Sequence, residues 1–305
     1  MNVLLTGASG FLGSRIYAEL IQNHTITTLG RTPVAARHIT GDLTKRLPSL
    51  AHASFDYVVN AAGKAHSTPR TVTERADYER VNVQGVCRLL TMLERMTVRP
   101  KAVVHISTVL VYGRLGGYLL DETTQLGATD VYGLSKIRAE AAVREWGERT
   151  GVGVTILRLP LVVAEHPSGN VATLMNAIRG GYYVRIGDGL ARRSMVRADD
   201  VAAIIDRAAD VGGTFNLTDG HHPGVAELED ALARYTGRKQ PIRTVPLALA
   251  RAVATVGDGV NALVGRRFPL DTVALQKLTR SLTFSDELAR QTLAWNPRPV
   301  LDLFQ

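Results

Sequence analysis

Tyr132 and Lys136 stand four residues apart in the run Tyr132-Gly133-Leu134-Ser135-Lys136. On a helix that spacing puts a phenol and an ammonium on one face. A cation beside a tyrosine favours the phenolate and pulls its pKa down from about 10. Such a group can give or take a proton at a carbonyl or alcohol oxygen. Upstream, His105-Ile106-Ser107-Thr108 closes an apolar, β-branched run. The hydroxyls of Ser107 and Thr108 would then lie at the carboxyl edge of a sheet, where open α/β sheets bind ligands. A lone Tyr-x-x-x-Lys can occur on any helix, so its meaning depends on the elements that position it.

The first of those elements is at the start of the chain. Val3-Leu4-Leu5 leads into Thr6-Gly7-Ala8-Ser9-Gly10-Phe11-Leu12-Gly13. This reads as a strand, a glycine-rich turn and a helix opening at Phe11. Gly7 permits the turn, Gly10 lets the backbone approach a pyrophosphate, and Gly13 lets the helix pack on the sheet. Ser9, Phe11 and Leu12 complete a loop whose free N–H groups suit phosphate oxygens. Because the loop begins near residue 2, no leader sequence is expected.

Strand signals follow at Thr25–Leu29, Tyr57–Asn60, Ala102–Ser107 and Val152–Leu157. Helical periodicity fills the gaps at Phe11–Gln22, Thr73–Arg95 and Tyr132–Arg149. The alternation predicts a Rossmann-type, doubly wound parallel sheet covered by helices. Residues 1–160 are expected to form the dinucleotide-binding domain. Residues 195–223 should return to it, with Met195 rejoining the main sheet and Gly213–Leu217 as its last strand. Residues 161–194 and 224–305 are expected to form a smaller, mostly helical substrate-binding region. In it, the helix at Leu247–Leu263 is apolar and basic, but its alanines, valines, Gly257 and Gly259 suit core packing better than a membrane surface.

The chain has 305 residues, 45% apolar and 21% charged, with 36 basic and 28 acidic side chains and a net charge of +8. The size allows a large core. The net charge suits an anionic ligand, but scattered arginines without an aromatic platform argue against nucleic acid. No apolar run approaches the ~20 residues of a membrane span. The single cysteine, Cys87, cannot form an internal disulfide and is expected in a buried helix position, which fits a reducing cytoplasm.

The second strand ends Thr28-Leu29-Gly30-Arg31-Thr32. A carboxylate there would accept from the ribose 2′-OH of NAD. Gly30 instead leaves space and Arg31 offers a fork for a 2′-phosphate, which favours NADP(H) over NAD(H).

Seven blocks together resemble the extended short-chain dehydrogenase/reductase superfamily, in its NAD-dependent epimerase/dehydratase group. They are TGASGFLG at 6–13, GDL at 41–43, NAAG at 60–63, NVQG at 82–85, HISTVLVYG at 105–113, YGLSK at 132–136 and RRSMVRADDV at 192–201. The resemblance implies that Tyr132 is the acid/base, that Lys136 binds the nicotinamide ribose and tunes Tyr132, and that Thr108 orients the substrate oxygen beside Ser107. It also implies that Asp42 and Leu43 meet the adenine and that Ala61, Ala62 and Gly63 underlie the cofactor. Leu159 and Pro160 would frame the nicotinamide. Asn82 reads equally as a cofactor-site residue or a buried structural amide.

By the same resemblance Arg193 would contact a substrate diphosphate, with Arg266, Arg267 and Arg280 as candidates for a second contact. Sugar-nucleotide 4,6-dehydratases carry Asp-Glu after the threonine; Val109-Leu110 here disfavours that reaction. The leading expectation is reduction of a 4-keto nucleotide sugar, UDP-linked by preference, with hydride from the nicotinamide and a proton from Tyr132. A nucleotide-sugar 4-epimerase with tightly held NAD(P) is the alternative. A reductase of non-sugar ketones and a non-enzymatic dinucleotide-binding protein follow. Many members of the resembled family pair through two helices, here Thr73–Met96 and Tyr132–Arg149, so the resemblance leaves a homodimer open, with Leu89, Met92 and Met96 serving either that interface or the core.

Overall fold

The computed structural model describes residues 1–65, 69, 71–264 and 271–305, and the side chains of all of these except 262–264. The first half alternates strand and helix: β1 (Asn2–Thr6), α1 (Phe11–Leu20), β2 (Thr25–Gly30), β3 (His38–Thr40), β4 (Tyr57–Asn60), α2 (Val72–Tyr78), α3 (Gly85–Glu94), β5 (Ala102–Thr108), β6 (Gly117–Leu120), α4 (Val131–Thr150) and β7 (Gly153–Leu159). The second half runs β8 (Leu161–Val163), α5 (Gly169–Arg179), β9 (Val184–Ile186), β10 (Met195–Arg197), α6 (Ala198–Ala203), α7 (Ile205–Val211) and β11 (Gly213–Asn216). It ends with α8 (Val225–Tyr235), β12 (Arg243–Val245), α9 (Leu247–Val264), α10 (Thr272–Thr279), β13 (Leu282–Phe284) and α11 (Glu287–Leu293).

Seven strands form one parallel sheet in the order β11-β7-β5-β4-β1-β2-β3. The expected doubly wound fold is therefore present. Strand order reverses between β1 and β4, the switch point where such sheets open a crevice. Both faces are buried, and the strands show it by strict alternation. Val3 and Leu5 pack in one core with Ile16, Val201 and Phe215, while Leu4 packs in the other with Leu89, Leu93 and Trp146. A side-chain period of two places successive residues on opposite faces, so a strand covered on both sides reads as a continuous apolar run.

Three expectations are corrected. Met195 does not rejoin the main sheet: β10 pairs in parallel with β8 as a separate two-stranded sheet. Pro160 has no N–H to donate, so β7 ends before it and β8 starts a new ladder. The helix expected over Thr73–Arg95 is interrupted by a π-helical stretch at Glu79–Gln84. Cys87 is exposed, because the buried face of α3 is taken by Val86, Leu89, Leu90 and Leu93. Helix α9 packs as expected through Leu247, Ala250 and Ala254 in a small core with Leu275, while Leu249, Val253 and Val256 on another side are exposed. Leu89, Met92 and Met96 are buried within the chain's own core.

Candidate active site at the carboxyl edge of the sheet

The parallel register brings the ends of four strands to one edge. Thr6 lies opposite Asn60, Asn60 opposite His105, and Thr108 opposite Leu159. Here α1 begins at Phe11 with Gly10 as N-cap, no side-chain cap and no acidic residue in its first turn. Its leading N–H groups thus suit an anion. Gly7 has φ +77°, and a Cβ there would strike the Ala61 and Ala62 backbone at 2.6 Å. A Cβ at Gly13 would sit 2.0 Å from the Gly7 carbonyl oxygen. The glycines thus allow the loop, α1 and the end of β4 to close together, leaving a backbone cradle that fits a dinucleotide pyrophosphate.

At the end of β2, Gly30 meets little and Arg31 is exposed. Asp42 turns its Oδ1 inward, accepting from the backbone N–H and the hydroxyl of Thr44, both at 2.8 Å. The Thr44 backbone N–H is the main reason its carboxyl lies below the usual range, and nearby Arg31 adds to it. Leu43 packs against α3 beside Gly85. Leu159 is buried at the end of β7, with Pro160 half-buried after it.

Asp130 caps α4, accepting from the Gly133 backbone N–H at 2.9 Å, and so fixes the helix start just ahead of Tyr132. The Tyr132 ring lies 5.9 Å from that of Tyr78. Burial pushes the Tyr132 phenol up to about 12, and a hydrogen bond with Thr108 pulls the other way. This corrects the expectation that Lys136 lowers the Tyr132 pKa. The Lys136 ammonium instead donates to the Ile106 carbonyl at 2.6 Å and lies 3.4 Å from His105 Nε2. Burial pulls Lys136 down to about 8, against the opposing pull of Glu140.

His105, quoted in the sequence only as part of a block, belongs to a buried polar chain. The Ala62 N–H donates to Thr6 Oγ1 at 3.4 Å, and the Thr6 hydroxyl donates to Asn60 Oδ1 at 2.7 Å. Asn60 Nδ2 then meets His105 Nδ1 at 3.0 Å. Burial, then the charge of Lys136, hold His105 well below the usual histidine range. A neutral imidazole therefore stands beside Lys136 without adding a second positive charge. The chain couples the floor of the glycine loop to the lysine.

A second buried network was also missed. Glu140, fully buried one turn after Lys136, accepts from Arg158 and from the Ser107 hydroxyl at 2.5 Å. Arg158 also donates to Tyr112 Oη, which donates to Asn216. The i, i+4 spacing of Lys136 and Glu140 was the only hint in the sequence. Ser107 is thus engaged with Glu140, whereas Thr108 borders Tyr132. Asn82, in the π-helical stretch, donates to Ser135 Oγ and the Lys64 carbonyl and accepts from the Lys64 N–H, which is the structural-amide role.

Arg193 is not free for a diphosphate. Its guanidinium donates to the carbonyls of Lys277 and Arg280 at the C-terminal end of α10, where the helix dipole favours a cation. Arg280 is exposed, and Arg266 and Arg267 lie outside the described residues.

The profile of the NAD dependent epimerase/dehydratase family matches residues 3–217, which span the glycine loop, Thr108, Tyr132 and Lys136. The chain belongs to that family. It is 27% identical to the N-acetyl-alpha-D-glucosaminyl-diphospho-ditrans,octacis-undecaprenol 4-epimerase of Escherichia coli O157:H7, over 93% of this chain and 87% of that protein. It is 25% identical to the UDP-glucose 4-epimerase of Vibrio cholerae, over 98% and 92%. The crystal structure of UDP-glucose 4-epimerase from Thermotoga maritima with UDP-glucose covers 100% of this chain and 97% of its own at TM-score 0.75 and 21% identity. The last similarity establishes the fold. The family makes the chain an enzyme of the extended short-chain dehydrogenase/reductase class that uses a nicotinamide dinucleotide.

Proposed function

We propose that this enzyme carries out reversible oxidation and reduction at C4 of a diphosphate-linked hexose, run as 4-epimerisation. The observation that carries the reading is the Thr108–Tyr132 pair, with Lys136 one turn along α4 and apolar Val109 and Leu110 rather than carboxylates after Thr108. One phenol can exchange a proton with one oxygen; nothing next to it on the chain can remove a second proton for dehydration. The 4-epimerases among its relatives, matched over nearly the whole chain, support the same chemistry.

The residues that would hold the dinucleotide are the loop Gly7–Gly13, with Arg31 and Asp42 toward the adenosine end. Ala61, Ala62 and Gly63 would lie beneath it, and Lys136, Leu159 and Pro160 would surround the nicotinamide end. When bound, the nicotinamide supplies and accepts hydride at the sugar carbon. Tyr132 takes the proton of the C4 hydroxyl and returns it. Thr108 holds that oxygen, and the Lys136 ammonium stabilises the phenolate that forms. A phenol near 12 in the free protein is neutral at pH 7.

The second reading is net reduction of a 4-keto sugar with NADPH. Gly30 and exposed Arg31, in the place of a ribose-binding carboxylate, favour it. One assay separates the two. Purified protein is given UDP-N-acetylglucosamine, or its undecaprenyl-diphosphate counterpart, without reductant. Appearance of the C4 epimer supports epimerisation. Consumption of NADPH only with a 4-keto sugar, with a gain of two hydrogens, supports reduction. Neither outcome would remove C4 chemistry.

A further inference from the structure

Helix α9 leaves three of its larger apolar side chains exposed. Its fully buried stripe is Ala250, Ala254 and Gly257, spaced i, i+4, i+7, with Leu247 partly buried one turn before it. A second stripe at the same spacing, Leu249, Val253 and Val256, is 56%, 39% and 65% exposed. A helix that merely packs on a core turns its larger apolar residues inward. Helix α10 packs on α9 and adds exposed Val273 and Leu278.

Charge is concentrated in the same part of the chain. Residues 238–280 hold eight Lys and Arg but two acidic residues, a net +6 of the chain's +8. Both acids are committed locally: Asp258 accepts from the Thr272 N–H at 3.1 Å, and Asp271 caps α10 through the Ala274 N–H at 2.7 Å. Lys239, Arg243, Arg251 and Lys277 are exposed. A second copy on this face would bring the same positive charge against it.

We propose that this face of α9 and α10 docks on an anionic lipid surface, with α9 lying in the interface plane. The Leu and Val stripe would enter the acyl boundary while exposed basic residues of the same segment, Lys239, Arg243 and Lys277, meet the headgroups. No helix among the described residues is long and apolar enough to cross a membrane, so this is surface attachment. The inference stands apart from the proposed C4 chemistry, since binding is measured without substrate.

The test is sedimentation of the full chain with vesicles of phosphatidylcholine, alone or with added phosphatidylglycerol. Binding is expected to the anionic vesicles only, and should weaken about tenfold or more from low to high salt. The triple variant Leu249→Ser, Val253→Ser, Val256→Ser should abolish it, and so should Lys239→Glu with Arg243→Glu on a separate element, both with an unchanged circular dichroism spectrum. Failure to bind anionic vesicles, or binding that both variants retain, would overturn the proposal. So would salt-resistant dimerisation in sedimentation velocity that the serine variant removes.

Discussion

Two regions of the molecule break the usual rule of burial in opposite directions. At the carboxyl edge of the sheet, charged and polar groups are inside: Lys136, Glu140, Arg158 and His105 are all buried. On α9, Leu249, Val253 and Val256 are outside, while the fully buried side chains are those of Ala250 and Ala254. Burying an ion costs several kcal/mol unless its partners are well placed. The first region meets that cost with hydrogen bonds from Lys136 to Ile106, from Ser107 and Arg158 to Glu140, and between Asn60 and His105. The second lacks such compensation within the chain, and its exposed stripe gains only when another surface covers it. Inverted burial marks a working surface in both places, but only the first can be tested by pulling apart internal partners.

The largest expected effect is at the reacting end of that buried cluster. Tyr132→Phe should lower kcat by about 10³-fold, in the range of a lost general acid. Dinucleotide binding by fluorescence titration should stay nearly unchanged; retention of most of the turnover would remove Tyr132 from the mechanism. Glu140→Ala leaves Arg158 buried without its carboxylate and should cost about 3–5 kcal/mol in urea unfolding. A near-neutral result would mean water enters the network and the contrast with α9 is weaker than drawn.

Lys136 gives a test with a sign. Its folded pKa, about 8, lies below the ordinary lysine value of 10.5. The penalty for burying its charge is therefore fully present below pH 8 and fades as pH rises toward 10.5. Lys136→Met should raise the melting temperature of the cofactor-free protein at pH 7, and that advantage should shrink by pH 10. A constant advantage would assign the effect to packing alone. Arg31→Ala should weaken NADPH by roughly tenfold and NADH much less; equal losses would end the preference for NADP(H). The smallest effect belongs to the other region. Val256→Ser alone should change stability by no more than about 0.5 kcal/mol, because the exposed side chain stabilises little within the chain itself.

Much of this was legible in the sequence, for physical reasons that also mark its limits. The alternation of β-branched runs with helical periodicity gave the sheet. The glycines at 7, 10 and 13 gave the loop because each spacing has a steric cause, and the contacts of Gly7 and Gly13 bear that cause out. Tyr132 and Lys136 could be placed on one helix because their coupling is local. The pairing of β10 with β8 was not legible, since three-residue strands carry too short a pattern to choose a partner. Nor was the tie from Asn60 to His105 and on to Lys136, whose members are distant in sequence and meet only through the register of β4 and β5. The direction of α9 escaped because a helix apolar on most sides has no unique inward face.

Strand β13 pairs in parallel with β6, and Leu119 N–H donates to Thr283 Oγ1 at 2.8 Å. These segments are separated by most of the substrate-binding half of the chain. At the usual pace of synthesis, β6 must wait roughly 10–30 s before its partner leaves the ribosome. The rim just beyond Thr108 is therefore among the last parts of the enzyme to close. The core beneath the glycine loop closes no earlier, because Ala289, Leu293 and Trp295 pack in it with Val3, Leu5 and Ala8.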